Sequence, residues 1–335
     1  MTGNKKPLPV GFSDFRELRE SGCYYIDKSL FIKEITEAWA KVLLIPRPRR
    51  FGKTLNLSML RYFYEKNDED RCSLFNGLAV SNDDMFKTHQ GKYPVIFLTF
   101  KDLKDLSWES LFKGIANLLQ DEFVRHEILL KSEVLSRTEK QRFEFFAKGE
   151  AGSRDYADSL RYLSRYLRRH YDKRVVILID EYDTPLHAGY AGGFYEEVVS
   201  FIRNLLSGGL KDNEHLFKGV VTGVLRVAKE SVFSGLGVYT LLSPKFSDSF
   251  GFTDPEVRIL LEDFGMSGLY DKLSHWYNGY LFGKTVLYNP WSVLNCLDNQ
   301  GDPQPYWINT ADTGMNREPC HRRGQRTAGR TGTAS

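Results

Sequence analysis

Two short groups of residues in this 335-residue chain carry side chains suited to phosphate chemistry. Gly52, Lys53 and Thr54 follow one another, and Asp180 and Glu181 are adjacent much further along the chain. Glycine lets the backbone approach a phosphate, lysine adds a positive charge, and a threonine hydroxyl can bind Mg²⁺. Two carboxylates can supply a second Mg²⁺ ligand and a group that orients or deprotonates water. The residue types therefore predict phosphoryl transfer, provided that the fold brings the two groups together.

The first group lies in a strand–loop–helix pattern. Residues 42–45 form a short apolar run typical of a strand buried on both faces, and prolines at 46 and 48 end it. Apolar residues at helical spacing then favour a helix from Thr54 to Glu65. This order is the context that the phosphate-binding motif G-x-x-x-x-G-K-[ST] requires.

The loop departs from that motif at one position. Arg47 stands where the first glycine belongs, and Arg49 and Arg50 add two more cations beside the predicted phosphate site. Because Gly-Lys-Thr alone is common, the flanking strand and helix carry the assignment. We assign the following residues to nucleotide binding: Arg47, Pro48, Arg49, Arg50, Phe51, Gly52, Lys53, Thr54 and Leu55.

The second group ends another predicted strand. Residues 175–179 are consecutive β-branched or leucine residues, which is the pattern of a central strand. Asp180 is placed to bind Mg²⁺ together with Thr54, and Glu181 is our candidate for the residue that orients or deprotonates the attacking water. Taken alone, the same residues fit a buried strand with a charged end. Asp183 suits two roles equally, orienting a loop or water, or capping a helix.

Four stretches resemble the prokaryotic AAA-ATPase-like family: YYIDKS at 24–29, RPRRFGKT at 47–54, LIDEYDTP at 178–185 and GVLRVAKESVFSGL at 223–236. The resemblance runs from about residue 8 to residue 310, and an arginine-rich loop without the first glycine is that family's own form. Its members are P-loop ATPases, often followed by a nuclease-like domain of the PD-(D/E)XK type. The resemblance implies ATP as the ligand, and it implies that the N-terminal arm of residues 12–40 packs near the adenine.

Further strands are predicted at 93–100 and 216–224. One strand thus lies in sequence between the loop strand and the Asp180 strand, as in the additional-strand, catalytic-glutamate division of P-loop ATPases. We therefore expect an α/β three-layer sandwich with a mostly parallel sheet, plus a small helical C-terminal subdomain. In that division the end of strand 216–224 carries a sensor of the γ-phosphate, a position that Thr222 fits. Arg226 suits either an arginine finger, reaching the nucleotide or a neighbouring subunit, or a surface salt bridge.

We expect three parts in the chain: an ATPase domain with its N-terminal arm at 1–253, a helical lid at 254–311 and a disordered basic tail at 312–335. Asp254 as N-cap and Pro255 at the first helical position predict the first lid helix, followed by aromatic turns and a helix from Pro290. The tail has almost no apolar residues, so it cannot bury a core. The abrupt change in composition predicts a truncated or frame-shifted product. We therefore do not predict for this chain the nuclease activity of longer family members.

Charge and composition exclude several classes of protein. Five of the 46 basic residues and one of the 43 acidic residues lie in 313–335, which leaves 41 basic and 42 acidic residues in 1–312. A global basic surface for nucleic acid is therefore absent. Four scattered cysteines argue against zinc and a disulfide framework. No apolar run approaches 18 residues and no signal peptide is visible, so we expect a cytoplasmic protein with no membrane contact.

The main hypothesis is a Mg²⁺-dependent ATPase in which hydrolysis drives a conformational change. One alternative is a nucleotide-gated switch or scaffold with negligible turnover. Another is a nucleic-acid-binding component of a defence or mobile-element system, for which the basic segment 155–170 provides local charge, although a solvated helix face explains the same pattern. A protein partner or self-association through Arg226 fits the arginine-finger reading.

Overall fold

A parallel sheet organises the N-terminal part of the chain. The computed structural model describes residues 6–224 and 237–306. Within those residues, the five strands of this sheet are β1 Val42–Pro46, β2 Val95–Thr99, β3 Val175–Asp180, β4 Leu216–Gly223 and β5 Gly237–Val238. Their spatial order is β2-β3-β4-β1-β5. Strand β4 therefore lies between the strand that precedes the phosphate loop and the strand that ends in Asp180, which confirms the predicted additional-strand type of P-loop sandwich.

Helices pack against the sheet and extend beyond it. The described α-helices are α1 Phe15–Glu20, α2 Leu30–Glu37, α3 Lys53–Tyr64, α4 Asp84–His89, α5 Trp108–Arg125, α6 Arg137–Ala147, α7 Ser153–Tyr171, α8 Thr184–Gly192, α9 Tyr195–Leu210, α10 Asp254–Asp263, α11 Tyr270–Tyr277 and α12 Pro290–Asp298. Alternate residues of each strand point to opposite faces. Thus Leu44 joins a core with α5, α7 and α9, whereas Leu43 and Ile45 join a second core with α2 and α3.

The second part of the chain contains a sheet of its own. Strands β6 Phe252–Thr253, β7 Asn278–Phe282 and β8 Thr285–Tyr288 pair antiparallel in the order β6-β8-β7. We call residues 254–306 the C-terminal subdomain, and its helices are α10, α11 and α12. The prediction of aromatic turns missed the β7–β8 hairpin. Phe282 pairs with Thr285 across a two-residue turn, and the first residue of that turn, Gly283, has φ +57°.

Two segments connect the parallel sheet with the C-terminal subdomain. The stretch from 237 to 251 supplies β5 beside β1 and buries Phe246 and Phe250 in the same core as α3. The N-terminal arm buries Phe15 and Phe31 in that core, while Tyr24 packs against the core of the C-terminal subdomain.

Helix starts follow the sequence signals closely. Helix α10 begins at Asp254, but Thr253 rather than Asp254 is its N-cap, in a capping box with Glu256. Asn289 caps α12 ahead of Pro290. The longest described helices are too polar to cross a lipid bilayer, and the apolar ones are too short.

Candidate functional site

The phosphate loop turns into α3 through a left-handed residue. Gly52 is the N-cap of α3 with φ +82°, a conformation that glycine adopts at little cost, and no side chain caps the helix. The first-turn amide groups of a helix have no partner within the helix, so they can bind a phosphate. Arg50, two residues earlier, is also left-handed, with φ +68°. The loop thus presents backbone donors where the sequence predicts them.

Lys53 is the first residue of α3, and its side chain is buried. The Nζ atom donates to the carbonyl oxygen of Pro48 at 3.2 Å, across the loop. Burial lowers the pKa of Lys53, while the nearby carboxylates of Glu181 and Asp180 act in the opposite direction. A buried ammonium held inside the loop is placed to neutralise a bound phosphate.

Asp180 joins the two predicted halves of the site. Its carboxylate is fully buried at the end of β3. Thr54 Oγ1 donates to Asp180 Oδ2 at 2.6 Å, and Thr222 Oγ1 donates to Asp180 Oδ1 at 2.6 Å. The structure therefore brings together Thr54, Asp180 and Thr222 from three separate elements.

These atoms fit a magnesium ion. Mg²⁺ prefers oxygen ligands and usually takes only one or two from the protein, with waters and substrate phosphates completing its shell. The hydroxyl of Thr54 and the carboxylate of Asp180 are such a pair. In the ranges 6–224 and 237–306 no three His, Cys, Asp or Glu side chains gather as a metal site, so nothing there resembles an all-protein metal cage.

Glu181 follows Asp180 in a left-handed turn. Its φ is +50°, which is unusual for a residue with a side chain and is concentrated at functional turns. Glu181 is half-buried, and its Oε2 accepts from Thr184 Oγ1 at 3.3 Å. The candidate water-activating carboxylate therefore lies beside the buried Asp180, on the turn that leads into α8.

Asp183 contacts the end of β4 as well as its own helix. Its buried Oδ2 accepts from the amide of Val224 at 2.9 Å, and His187 Nε2 lies 3.5 Å from the same oxygen. Asp183 occupies the N-cap position of α8, but its side chain accepts no capping hydrogen bond there. Of the two roles considered for Asp183, the contact with Val224 favours orienting a loop. A backbone hydrogen bond also joins this turn to β4, because the Tyr182 amide donates to the Thr222 carbonyl at 3.1 Å.

Sequence reasoning missed Gly223 as part of the site. It is the last residue of β4, directly after Thr222, and Asp183 packs against it. The available signal was a glycine inside a strand, which often marks a close approach of another group.

The three loop arginines have different surroundings. The side chain of Arg47 is fully buried and donates to the carbonyl oxygens of Pro46, Tyr239 and Phe246. The prediction that this side chain adds charge beside the phosphate is therefore wrong, because both terminal nitrogens of the buried guanidinium donate to these carbonyls. The Arg50 guanidinium lies over the ring of Trp291, 4.2 Å from its centre.

The other side chains of the loop differ in exposure. Arg49 is exposed, Phe51 is buried and Leu55 is half-buried on α3. Arg226 lies outside the described residues, so the arginine-finger and salt-bridge readings both stay predictions.

Four arginines of α7 are paired with carboxylates. Within 4 Å, Arg161 contacts Asp158, Arg168 contacts Asp172, and both Arg165 and Arg169 contact Glu139. Local acidic partners reduce the positive field of this helix. The contacts favour a solvated helix face over a nucleic-acid surface.

A family described as "Predicted AAA-ATPase" matches residues 9–233. The chain belongs to this family. The family predicted from the four sequence motifs is thereby confirmed, and at a coarse level it implies an ATP-binding ATPase, in agreement with the loop and with Asp180. This AAA-ATPase-like chain is also 31% identical over 319 residues to a protein of Azotobacter chroococcum mcd 1 described as "Uncharacterized protein in vnfD 5'region". That similarity covers 92% of this chain and 54% of the relative, so the chain spans about half the length of that protein.

Proposed function

We propose that the chain binds ATP together with Mg²⁺ at residues 47–55, hydrolyses it, and changes conformation in the course of hydrolysis. The observation that carries this proposal is the 2.6 Å contact between Thr54 and Asp180, which are 126 residues apart in sequence. A hydroxyl at the end of a phosphate loop and a buried carboxylate at the end of a neighbouring strand form the pair that P-loop ATPases use.

The binding roles follow from the positions of the donors. The amide groups at the start of α3 and the ammonium of Lys53 bind the phosphate oxygens. Thr54 and Asp180 would hold Mg²⁺, which when bound neutralises phosphate charge and orients the β- and γ-phosphates. Arg47 acts on the position of the loop and does not bind the phosphate with its charge.

The hydrolytic step uses Glu181 and Thr222. Glu181 orients a water molecule toward the γ-phosphorus and accepts a proton from it as the new P–O bond forms. The bond from the γ-phosphorus to the bridging oxygen breaks, which yields ADP and inorganic phosphate. Thr222 is proposed to sense the γ-phosphate, which its hydrogen bond to the carboxylate of Asp180 supports. Arg226 is proposed to stabilise the developing charge, from its own subunit or from a second copy.

The test is Mg²⁺-dependent ATP hydrolysis by the wild type, Lys53→Ala and Glu181→Gln, with ATP binding measured on each. We expect Lys53→Ala to bind ATP at least about tenfold more weakly, because one charge–phosphate contact is lost. Glu181→Gln should bind ATP normally, with turnover lowered by about 10²–10⁴.

Two surface variants serve as matched controls. Lys113→Ala and Glu133→Gln remove an exposed lysine and change an exposed glutamate outside the site, and both should behave as the wild type. Failure of the wild type to bind ATP would refute the proposal. Binding without turnover by the wild type would favour the nucleotide-gated switch instead.

A further inference from the structure

We propose that the buried side chain of Arg47 fixes the turn of the phosphate loop in place of the missing first glycine, and that it makes ATP affinity depend on the C-terminal subdomain. This inference rests on the proposed function. It assigns Arg47 as a positioning residue that acts on the nucleotide through the loop backbone.

The guanidinium is enclosed by carbonyl groups on two separate segments. Arg47 Nη1 donates to the carbonyl of Pro46 and to that of Tyr239, both at 2.9 Å, and Nη2 donates to the carbonyl of Phe246 at 2.9 Å. The Arg47 amide also donates to the carbonyl of Gly223 at 2.9 Å. The first residue of the loop is thus bonded at its backbone to β4 and at its side chain to the segment after β5.

Two aromatic rings enclose the same cation. The Arg47 guanidinium carbon lies 5.2 Å from the ring centres of Phe250 and Phe282. Phe282 is the last residue of β7, so this contact reaches the C-terminal subdomain. Burial lowers the pKa of Arg47 to about 10, which still leaves the group charged at neutral pH. A buried cation between two rings is favourable, because it has lost its water and gains the attraction of both ring faces.

Phe51 continues the contact with the same hairpin. Its ring centre lies 4.7 Å from that of Tyr280 and 5.2 Å from that of Phe282. Its ring is also so close to Gly251 that a Cβ atom there would be 2.8 Å away. Arg47 and Phe51, at the two ends of the arginine-rich part of the loop, therefore both contact groups outside the parallel sheet.

These contacts make loop geometry and hairpin position interdependent. A phosphate can bind to the α3 amides only if the loop holds the correct turn, and the turn is held by Arg47 and Phe51. If ATP binds more tightly when the loop holds this turn, it also stabilises the contact of the β7–β8 hairpin with Arg47 and Phe51. By the same thermodynamic linkage, displacing the hairpin weakens ATP binding.

The deciding variant is Arg47→Gly, which completes the G-x-x-x-x-G-K-T motif. The motif alone predicts unchanged or tighter ATP binding. Our inference predicts the opposite: KM and Kd for ATP rise at least about tenfold, because the carbonyls of Tyr239 and Phe246 lose their donor and the loop loses its anchor. At saturating ATP, kcat should stay within about threefold of the wild-type value, because Glu181 and Asp180 are unaltered.

A second pair of variants leaves the loop sequence intact. Phe282→Leu removes one ring from Arg47 and should raise the KM for ATP, again with little change in kcat. Leu281→Ala, on the same strand but 58% exposed, is the matched control and should leave KM unchanged. Hydrogen exchange at 278–288 should slow with ATP in the wild type, and less so in Arg47→Gly and Phe282→Leu.

The outcomes separate the two proposals. No ATP binding by the wild type refutes the proposed function. If the wild type binds ATP and a folded Arg47→Gly protein has the wild-type KM for ATP, the proposed role of Arg47 is refuted but the proposed function is not. If Arg47→Gly does not fold, Phe282→Leu decides, and a KM equal to that of Leu281→Ala overturns the inference.

Discussion

Gly223 and Asp183 lie so close that a Cβ atom at position 223 would be 2.5 Å from Asp183 Oδ1. The same atom would be 2.8 Å from the ring of Tyr182. Through this contact the end of β4 packs closely against the turn after β3. The Val224 amide adds a hydrogen bond by donating to Asp183. Thr222 is thereby held where its hydroxyl reaches Asp180.

Gly223→Ala should disturb this contact. Neither the buried carboxylate nor the buried ring can move freely, so we expect a loss of about 1–3 kcal/mol in unfolding free energy and a fall in ATPase activity. Urea denaturation and steady-state hydrolysis measure both effects. Gly268→Ala is the matched control, because a Cβ there meets no atom within 4 Å, and its effect should stay within about 0.5 kcal/mol. A Gly223→Ala protein as stable and active as the control would show that the close contact is unimportant.

Thr222→Val should separate the hydroxyl of this residue from its shape. Valine has nearly the same shape but cannot donate to the buried Asp180 Oδ1, so we expect a loss of about 1–3 kcal/mol in stability and weaker hydrolysis. Thr222→Ser keeps the donor and should retain most of both. The comparison is made by chemical denaturation and by ATP turnover. Equal stability of the valine and serine variants would argue that the hydrogen bond contributes nothing.

The buried carboxylate of Glu122 should make the free energy of unfolding depend on pH. From α5 it accepts the Phe97 amide at 3.0 Å, on the side of β2 that faces away from β3. Burial acts to raise the pKa of Glu122, but the charge of Arg125 and hydrogen bonds from His126 and Arg125 outweigh it and lower the pKa to about 2. Because the folded pKa lies below the unfolded value of 4.5, the charged form stabilises the fold above about pH 4.5.

Acid unfolding of Glu122→Gln tests this effect. The wild type should exceed the variant in unfolding free energy by up to roughly 3 kcal/mol at pH 7, and the difference should shrink as the pH falls from about 4.5 to 2. Asp121→Asn changes an exposed carboxylate on the same helix and should show no such trend. A difference between wild type and Glu122→Gln that is constant with pH would contradict the lowered pKa.

Lys28 connects the N-terminal arm to the C-terminal subdomain. Its Nζ donates to both carboxylate oxygens of Glu256, at 2.6 and 2.7 Å, and to the carbonyl of Asp248 at 2.7 Å. The lysine side chain is 11% exposed, so Lys28→Met should cost about 1–3 kcal/mol and make the subdomain more sensitive to proteolysis.

Lys33→Met provides the comparison for that pair. Lys33 also lies 2.6 Å from a carboxylate, that of Asp83, but its side chain is 39% exposed. Exposed ion pairs contribute little, so we expect less than about 1 kcal/mol. Equal losses for Lys28→Met and Lys33→Met would show that the buried connection has no special role.

The sequence by itself determined the strands and the helix that carry the candidate site. The apolar run at 42–45 and the loop appear in the structure as β1 and the phosphate loop. The helix predicted at 54–65 appears as α3 at 53–64. The run before Asp180 forms β3. These predictions succeed because periodicity, proline positions and helix starts express short-range backbone preferences, which the chain carries locally.

Only the tertiary structure decided which partner each polar side chain meets. Arg47 has the charge and spacing of a phosphate ligand, yet two of its three acceptors lie at Tyr239 and Phe246, nearly 200 residues away. Asp183 stands at a helix start, yet it bonds to the end of β4. Local sequence does not specify such contacts, because the donors, acceptors and rings around a buried side chain come from segments that only packing brings together.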